Sequence, residues 1–89
     1  MNLETGMLVK SKVGRDKNHI YVVISVEREY VYVADGEARP LRRMKRKNGK
    51  HLQPIRKVRL SGTPDDASVR EIISNYIPDG NAANESRGE

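Results

Sequence analysis

The sequence predicts a mainly β domain: a small barrel of five short strands, followed by one C-terminal α-helix and a disordered tail. Three observations carry this. Segments rich in valine, isoleucine and tyrosine alternate with turn signals from Gly6 to Leu60. One stretch with helical apolar spacing follows, between Thr63 and Gly80. The ending, "NAANESRGE", is polar and has no apolar period. The barrel is expected over residues 1–60, the helix region over 61–80 and the tail over 81–89. Near closure of the sheet would protect its edge strands.

The first strand is "MLVKSKV", stopped by the turn residues of "GRDKN". The second is "HIYVVISVE", whose β-branched and aromatic side chains suit a pleated surface. Strand alternation puts Ile20, Val22, Ile24 and Val26 on one face. Tyr21 falls on the other, where it either packs or is exposed. "REY" reverses the chain into "YVYVA", and Asp35-Gly36 marks the next turn. "LRRMKRK" and "KHLQPIRKV" are expected to pair as a hairpin, because Asn48-Gly49 is the dipeptide favoured in a type I′ turn. The spacing from Leu41 to Met44 breaks strict alternation and predicts a bulge.

The helix is expected over 64–77. Thr63 suits the N-cap, Pro64 the first helical position, and Asp65 and Asp66 the positive end of the dipole. Val69, Ile72, Ile73, Tyr76 and Ile77 form its apolar stripe, and Pro78 and Gly80 end it. That stripe is expected to cover the open end of the barrel; the alternative is a protein partner or a second copy.

The charge is uneven. Ten of the chain's 17 lysines and arginines lie between Arg39 and Leu60, and no acid occurs from Ala38 to Pro64. The net charge is +5. Such a balance favours an anionic partner, without choosing between nucleic acid and an anionic membrane. Regular apolar residues inside the basic stretch (Leu41, Met44, Leu52, Ile55, Val58, Leu60) argue for a folded face rather than a basic tail.

The sequence offers little catalytic chemistry. There is no cysteine, which excludes disulfides and thiolate metal sites and suits a reducing cytoplasm. The longest apolar runs are too short to span a membrane, and "MNLETG" lacks the apolar region of a signal peptide. His19 and His51 match no common metal spacing. Asp65-Asp66 reads as capping rather than as an acid pair. Ser11, Ser25 and Ser61 lie in no nucleophile elbow, and "GRDKN" does not resemble a P-loop. No enzyme, cofactor or metal is expected.

"GMLVKSKVGRDKNHIYVVISV" resembles the KOW motif through Gly6, Val9, Gly14, Lys17, Val22 and Val23. Asn18 replaces the loop's usual second glycine, a mild change because asparagine tolerates the left-handed backbone. "ADGEARPLRRMKRKNGKHLQPI" is similar to the second half of KOW-containing large-subunit ribosomal proteins of archaea and eukaryotes, and to small bacterial KOW proteins. In these a basic strand leads to "KHL" and a proline, as with Lys50, His51, Leu52 and Pro54 here. The similarity covers residues 3 to 56. It implies an SH3-like barrel that binds RNA, often ribosomal RNA, and it implies nothing for the helix.

These readings give an expected cytoplasmic, monomeric, non-catalytic RNA-binding module associated with ribosomal RNA or the ribosome. The alternatives are a protein-interaction module, in which the helix docks a factor, and a nonspecific DNA binder. The expected RNA contacts are Lys12, Arg15, Lys17, Asn18 and His19 on the first loop, then Arg39, Arg42, Arg43, Lys45, Arg46, Lys47, Lys50 and His51. The hairpin is expected to supply affinity through phosphate contacts. The "GRDKN" loop should set position, with Asp16 bonding the turn's own amides. Only four aromatic residues of the Phe/Trp/Tyr set occur, all tyrosine, so recognition of backbone and shape is expected rather than a base-by-base code.

Overall fold

A computed structural model describes residues 2–77. The expected tail at 81–89 and the helix stop at Pro78 lie outside them. Five strands form one antiparallel sheet: β1 (Met7–Ser11), β2 (Ile20–Glu27), β3 (Tyr30–Ala34), β4 (Lys45–Asn48) and β5 (Leu52–Arg59). Their order across the sheet is β4-β3-β2-β1-β5. One helix, α1 (Asp66–Tyr76), follows. The chain is thus mainly β, barrel-like and not closed, since β4 and β5 lie at opposite edges. Among the described residues no helix is long and apolar enough to cross a membrane.

The expected β4–β5 hairpin does not form. β4 pairs with β3, Tyr32 opposite Arg46, and β5 pairs with β1, Ser11 opposite Leu52. Asn48 has extended dihedrals (φ −71°, ψ 130°) rather than the left-handed ones of a type I′ turn. Its side chain instead accepts from the Lys50 amide at 3.0 Å and caps a short 3-10 turn, Gly49–His51. The Gly49 amide donates to the Glu29 carbonyl, fixing that turn against the β2–β3 reversal. The bulge expected between Leu41 and Met44 is also absent. A second 3-10 turn, Leu41–Arg43, absorbs the broken alternation, and β4 begins only at Lys45.

The sheet is buried on both faces over β1 and β2. The inner face holds Leu3, Met7, Val9, Tyr21, Val23, Val31, Val33 and Leu52. The opposite face holds Leu8, Ile20, Val22 and Ile55, and α1 covers it with Val69 and Ile73. The helix therefore backs the sheet and does not plug the barrel's end. Tyr21 is in the core, and the expected single face from Ile20 to Val26 stops early. A register shift between Val23 and Ser25 breaks the alternation, and Val26 is exposed. Each aliphatic side chain so buried stabilises by about 1.5–3 kcal/mol, the scale on which a small domain depends.

Asp65, not Thr63, is the N-cap of α1. Its carboxylate accepts from the Ser68 amide at 2.7 Å, and the Asp65 amide in turn donates to the Ser68 hydroxyl oxygen, completing a capping box. Asp66 accepts from the Leu41 amide at 2.8 Å, and the Arg70 guanidinium donates to the Gly36 carbonyl at 2.8 Å. These two bonds dock the helix on the 35–41 loop. Gly36 has φ +81°, and a Cβ there would lie 2.6 Å from the Asp66 carbonyl oxygen. Only glycine permits both the turn and this approach.

Candidate nucleic-acid interface

The loop between β1 and β2 is built to hold a fixed shape. Gly14 (φ +89°) and Asn18 (φ 75°) take the left-handed positions, as their types allow. The His19 amide bonds the Asp16 carbonyl, and the Asn18 amide bonds the Ser11 carbonyl at 2.7 Å. Arg15, Lys17 and Asn18 project into solvent from this frame, as does Lys12.

The Asp16 side chain does not bond the turn's amides, as the sequence suggested. It turns inward and organises the end of the barrel. It accepts from the Tyr21 hydroxyl at 2.6 Å, the Ser11 hydroxyl at 2.9 Å, Lys45 Nζ at 3.1 Å and Lys47 Nζ at 3.0 Å. Burial opposes ionisation of this carboxyl. The bonds from Tyr21, Lys47, Ser11 and Lys45 outweigh that penalty and hold it well below the usual carboxylate range. Burial, then the bond to Asp16, pushes the Tyr21 hydroxyl well above its ordinary value. The cluster explains two of the expected RNA contacts differently. Lys45 and Lys47 share the inward side of β4 with Val31 and Val33 across the ladder. The Lys47 side chain is only 9% exposed. It holds the loop to β4 and does not face solvent.

His19 lies against Asp35 (Nε2 to Oδ2, 2.8 Å) and packs on the Tyr21 ring, centroids 4.7 Å apart. Asp35 also accepts from the Glu37 and Arg39 amides. Burial opposes its ionisation, but His19 and these amides lower its pKa to about 2. The structure therefore gives His19 a structural contact beside the loop. Arg39 is half-buried at the same turn. His51 is half-buried, and its carbonyl accepts from the Lys12 amide at 2.9 Å.

Arg42, Arg43, Arg46 and Lys50 are exposed, as are Arg56 and Lys57 on β5. Of the ten cations from Arg39 to Arg59, ion pairs among the described residues reach Lys45 and Lys47 (through Asp16) and Arg59 (through Glu4). The other seven have no acidic partner among the described residues. The sequence signal found these cations. It did not find Asp16 as their organiser, although an acid beside two cations inside a turn is the pattern for such a role.

Asp16 and Asp35 give a pH prediction. Both fold with pKa values below their ordinary 3.8. Their contribution is therefore complete above that value and is lost as pH falls toward 2. The urea midpoint should hold from about pH 7 to about 5 and drop steeply below about 4, less so in Asp16→Asn. A wild-type midpoint unchanged down to about pH 2.5 would contradict this.

Fold and surface together define a small β domain, backed by one helix, with exposed cations on the β1–β2 loop, the 3-10 turns, β4 and β5. No protein-family model matches the chain, and no curated protein matches its sequence.

Proposed function

We propose that the chain is a non-catalytic, cytoplasmic RNA-binding module, with ribosomal RNA or a ribosome-associated RNA as its ligand. One observation carries the reading: among the described residues, seven cations of an acid-free stretch have no acidic partner, while Asp16 ties the loop bearing Arg15 and Lys17 to β4 within that stretch. Two charge sources are thereby held in a fixed mutual arrangement. Such an arrangement favours a shaped polyanion over diffuse counter-ions. The resemblance of residues 3–56 to KOW proteins supports RNA as that polyanion.

The test is a salt titration of binding to unstructured RNA. If Arg15, Lys17, Arg42, Arg43, Arg46 and Lys50 each meet a phosphate, log K should fall with log salt at a slope of roughly −4. Replacing Arg42, Arg43, Arg46 and Lys50 by glutamine should flatten the slope by roughly 3 and weaken binding across sequences. Lys47 is left intact, because its loss would act through the fold. A still-folded quadruple variant with the wild-type slope would move the site elsewhere, and equal or tighter binding to duplex DNA would count against RNA.

A further inference from the structure

We propose that the outer face of β3 and β4, with the hollow beside it, is a subsite for one unstacked nucleotide of single-stranded RNA. The inference rests on the RNA-binding reading and names what part of the strand is held, and where.

Val31 and Val33 turn into the core, so Tyr30 and Tyr32 face outward. Arg46 lies opposite Tyr32 in the ladder, and its guanidinium carbon sits 4.7 Å from the centroid of the Tyr30 ring. The pair presents a π-face and a guanidinium plane together. Tyr30 is 36% exposed, although it is one of only four aromatic residues of its kind. Bases stack on both surfaces whatever their sequence.

Beside this pair is an open hollow of about 590 Å³, lined by Arg28, Glu29, Asn48, Gly49 and Lys50. Asn48 is the cross-strand neighbour of Tyr30, and Glu29 precedes Tyr30 in sequence, so the hollow lies next to Tyr30 in the ladder. Its volume is of the order that small-molecule sites use. Arg28 holds φ 58°, a left-handed backbone that glycine or asparagine adopts more readily. Arg28 lines the hollow from this turn. Arg28 and Lys50 supply positive charge for the nucleotide's phosphate. Glu29 is an acceptor only, so it repels phosphate and faces donor groups on the base edge. The nucleotide is oriented accordingly: base toward Tyr30, Arg46 and Glu29, phosphate toward Arg28 and Lys50.

The experiment uses the full chain and fluorescence anisotropy, with a labelled ten-nucleotide unstructured RNA and an RNA duplex of the same length. Tyr30→Leu should weaken single-strand binding by roughly 5- to 150-fold, the range of one base–aromatic stack. Its salt slope and its duplex affinity should stay at the wild-type values. Tyr30→Phe should bind as wild type does, and thermal melts should show both variants folded. On binding, the Tyr30 ring protons should shift upfield in NMR spectra. Unchanged single-strand affinity in a folded Tyr30→Leu, with the steep slope retained, would overturn this inference and leave the broader reading standing. Equal losses on strand and duplex would also overturn it. A nucleoside monophosphate that binds as tightly as the strand would assign the hollow to free nucleotides instead. A wild-type chain that binds neither RNA would overturn both readings.

Discussion

Asp16→Ala is expected to destabilise the fold by about 3–5 kcal/mol. The variant leaves the Lys47 ammonium, 9% exposed, without its anion, and it strips the buried Tyr21 hydroxyl of its acceptor. Removing one partner of a buried pair costs far more than the pair itself contributes, because a desolvated charge is left behind. A domain has only about 5–15 kcal/mol in total, so the variant should lose a large share of its stability. Urea melts followed by circular dichroism measure the cost. The compensating variant Asp16→Leu with Lys45→Met and Lys47→Met should recover much of it, since that change removes the charges together. A loss of less than about 1 kcal/mol in Asp16→Ala would mean that water reaches the lysines and that the cluster behaves as a surface pair.

Truncation after Gly62 should abolish cooperative folding. The shortened chain retains all five strands, and the sequence alone placed a complete barrel in residues 1–60. The structure assigns α1 a share of the core instead. Without Val69 and Ile73, the side chains of Leu8, Ile20, Val22 and Ile55 face water, with Ile24, Val58 and Leu60 beside them. An apolar face of that kind drives aggregation in a chain too small to repack around it. A milder probe is Ile73→Ala, expected to cost about 2–5 kcal/mol through lost burial and the cavity left behind. A fragment of residues 1–62 that melts in one sharp transition would return the helix to the status of an appendage.

The first three strands and the helix were legible because their signals are local. Side chains from Ile20 to Val23 favour a pleated backbone wherever they sit, and the stripe from Val69 to Ile77 has one period. The turns at Gly14, Asn18 and Gly36 were legible for the same reason. Pairing was not. Asn48-Gly49 carries a strong local preference, but β4 gains more from Tyr32 and Val33 across the ladder, and β5 from Leu8 and Ser11. Those partners lie far away in sequence, where no dipeptide reports them. Tyr21 shows a related limit. Its alternation with Ile20 was read correctly, but alternation gives the face and not whether that face is covered. Among the site residues, exposure of Arg42, Arg43 and Arg46 follows from charge alone. The inward turn of Lys47 follows only from its register with Val31 and from the position of Asp16, which folding brings to it from the other end of the sheet's path.

The two-sided burial of β1 and β2 divides the molecule into a stiff half and a compliant half. Amides at Leu8, Val9, Val22 and Val23 lie beneath side chains packed on either side. They can open only when the whole domain does. β4 has one neighbour, β3, and its second tether is a carboxylate on a loop. Opening of β4 is therefore governed by Asp16: the strand stays seated while the carboxylate holds both lysines, and it is the first strand to open once that tether is lost. A basic strand on such a mounting keeps its place while Asp16 is ionised and is released ahead of the sheet's centre when that carboxylate is protonated or removed, so the order in which the fold comes apart is already set in its resting state.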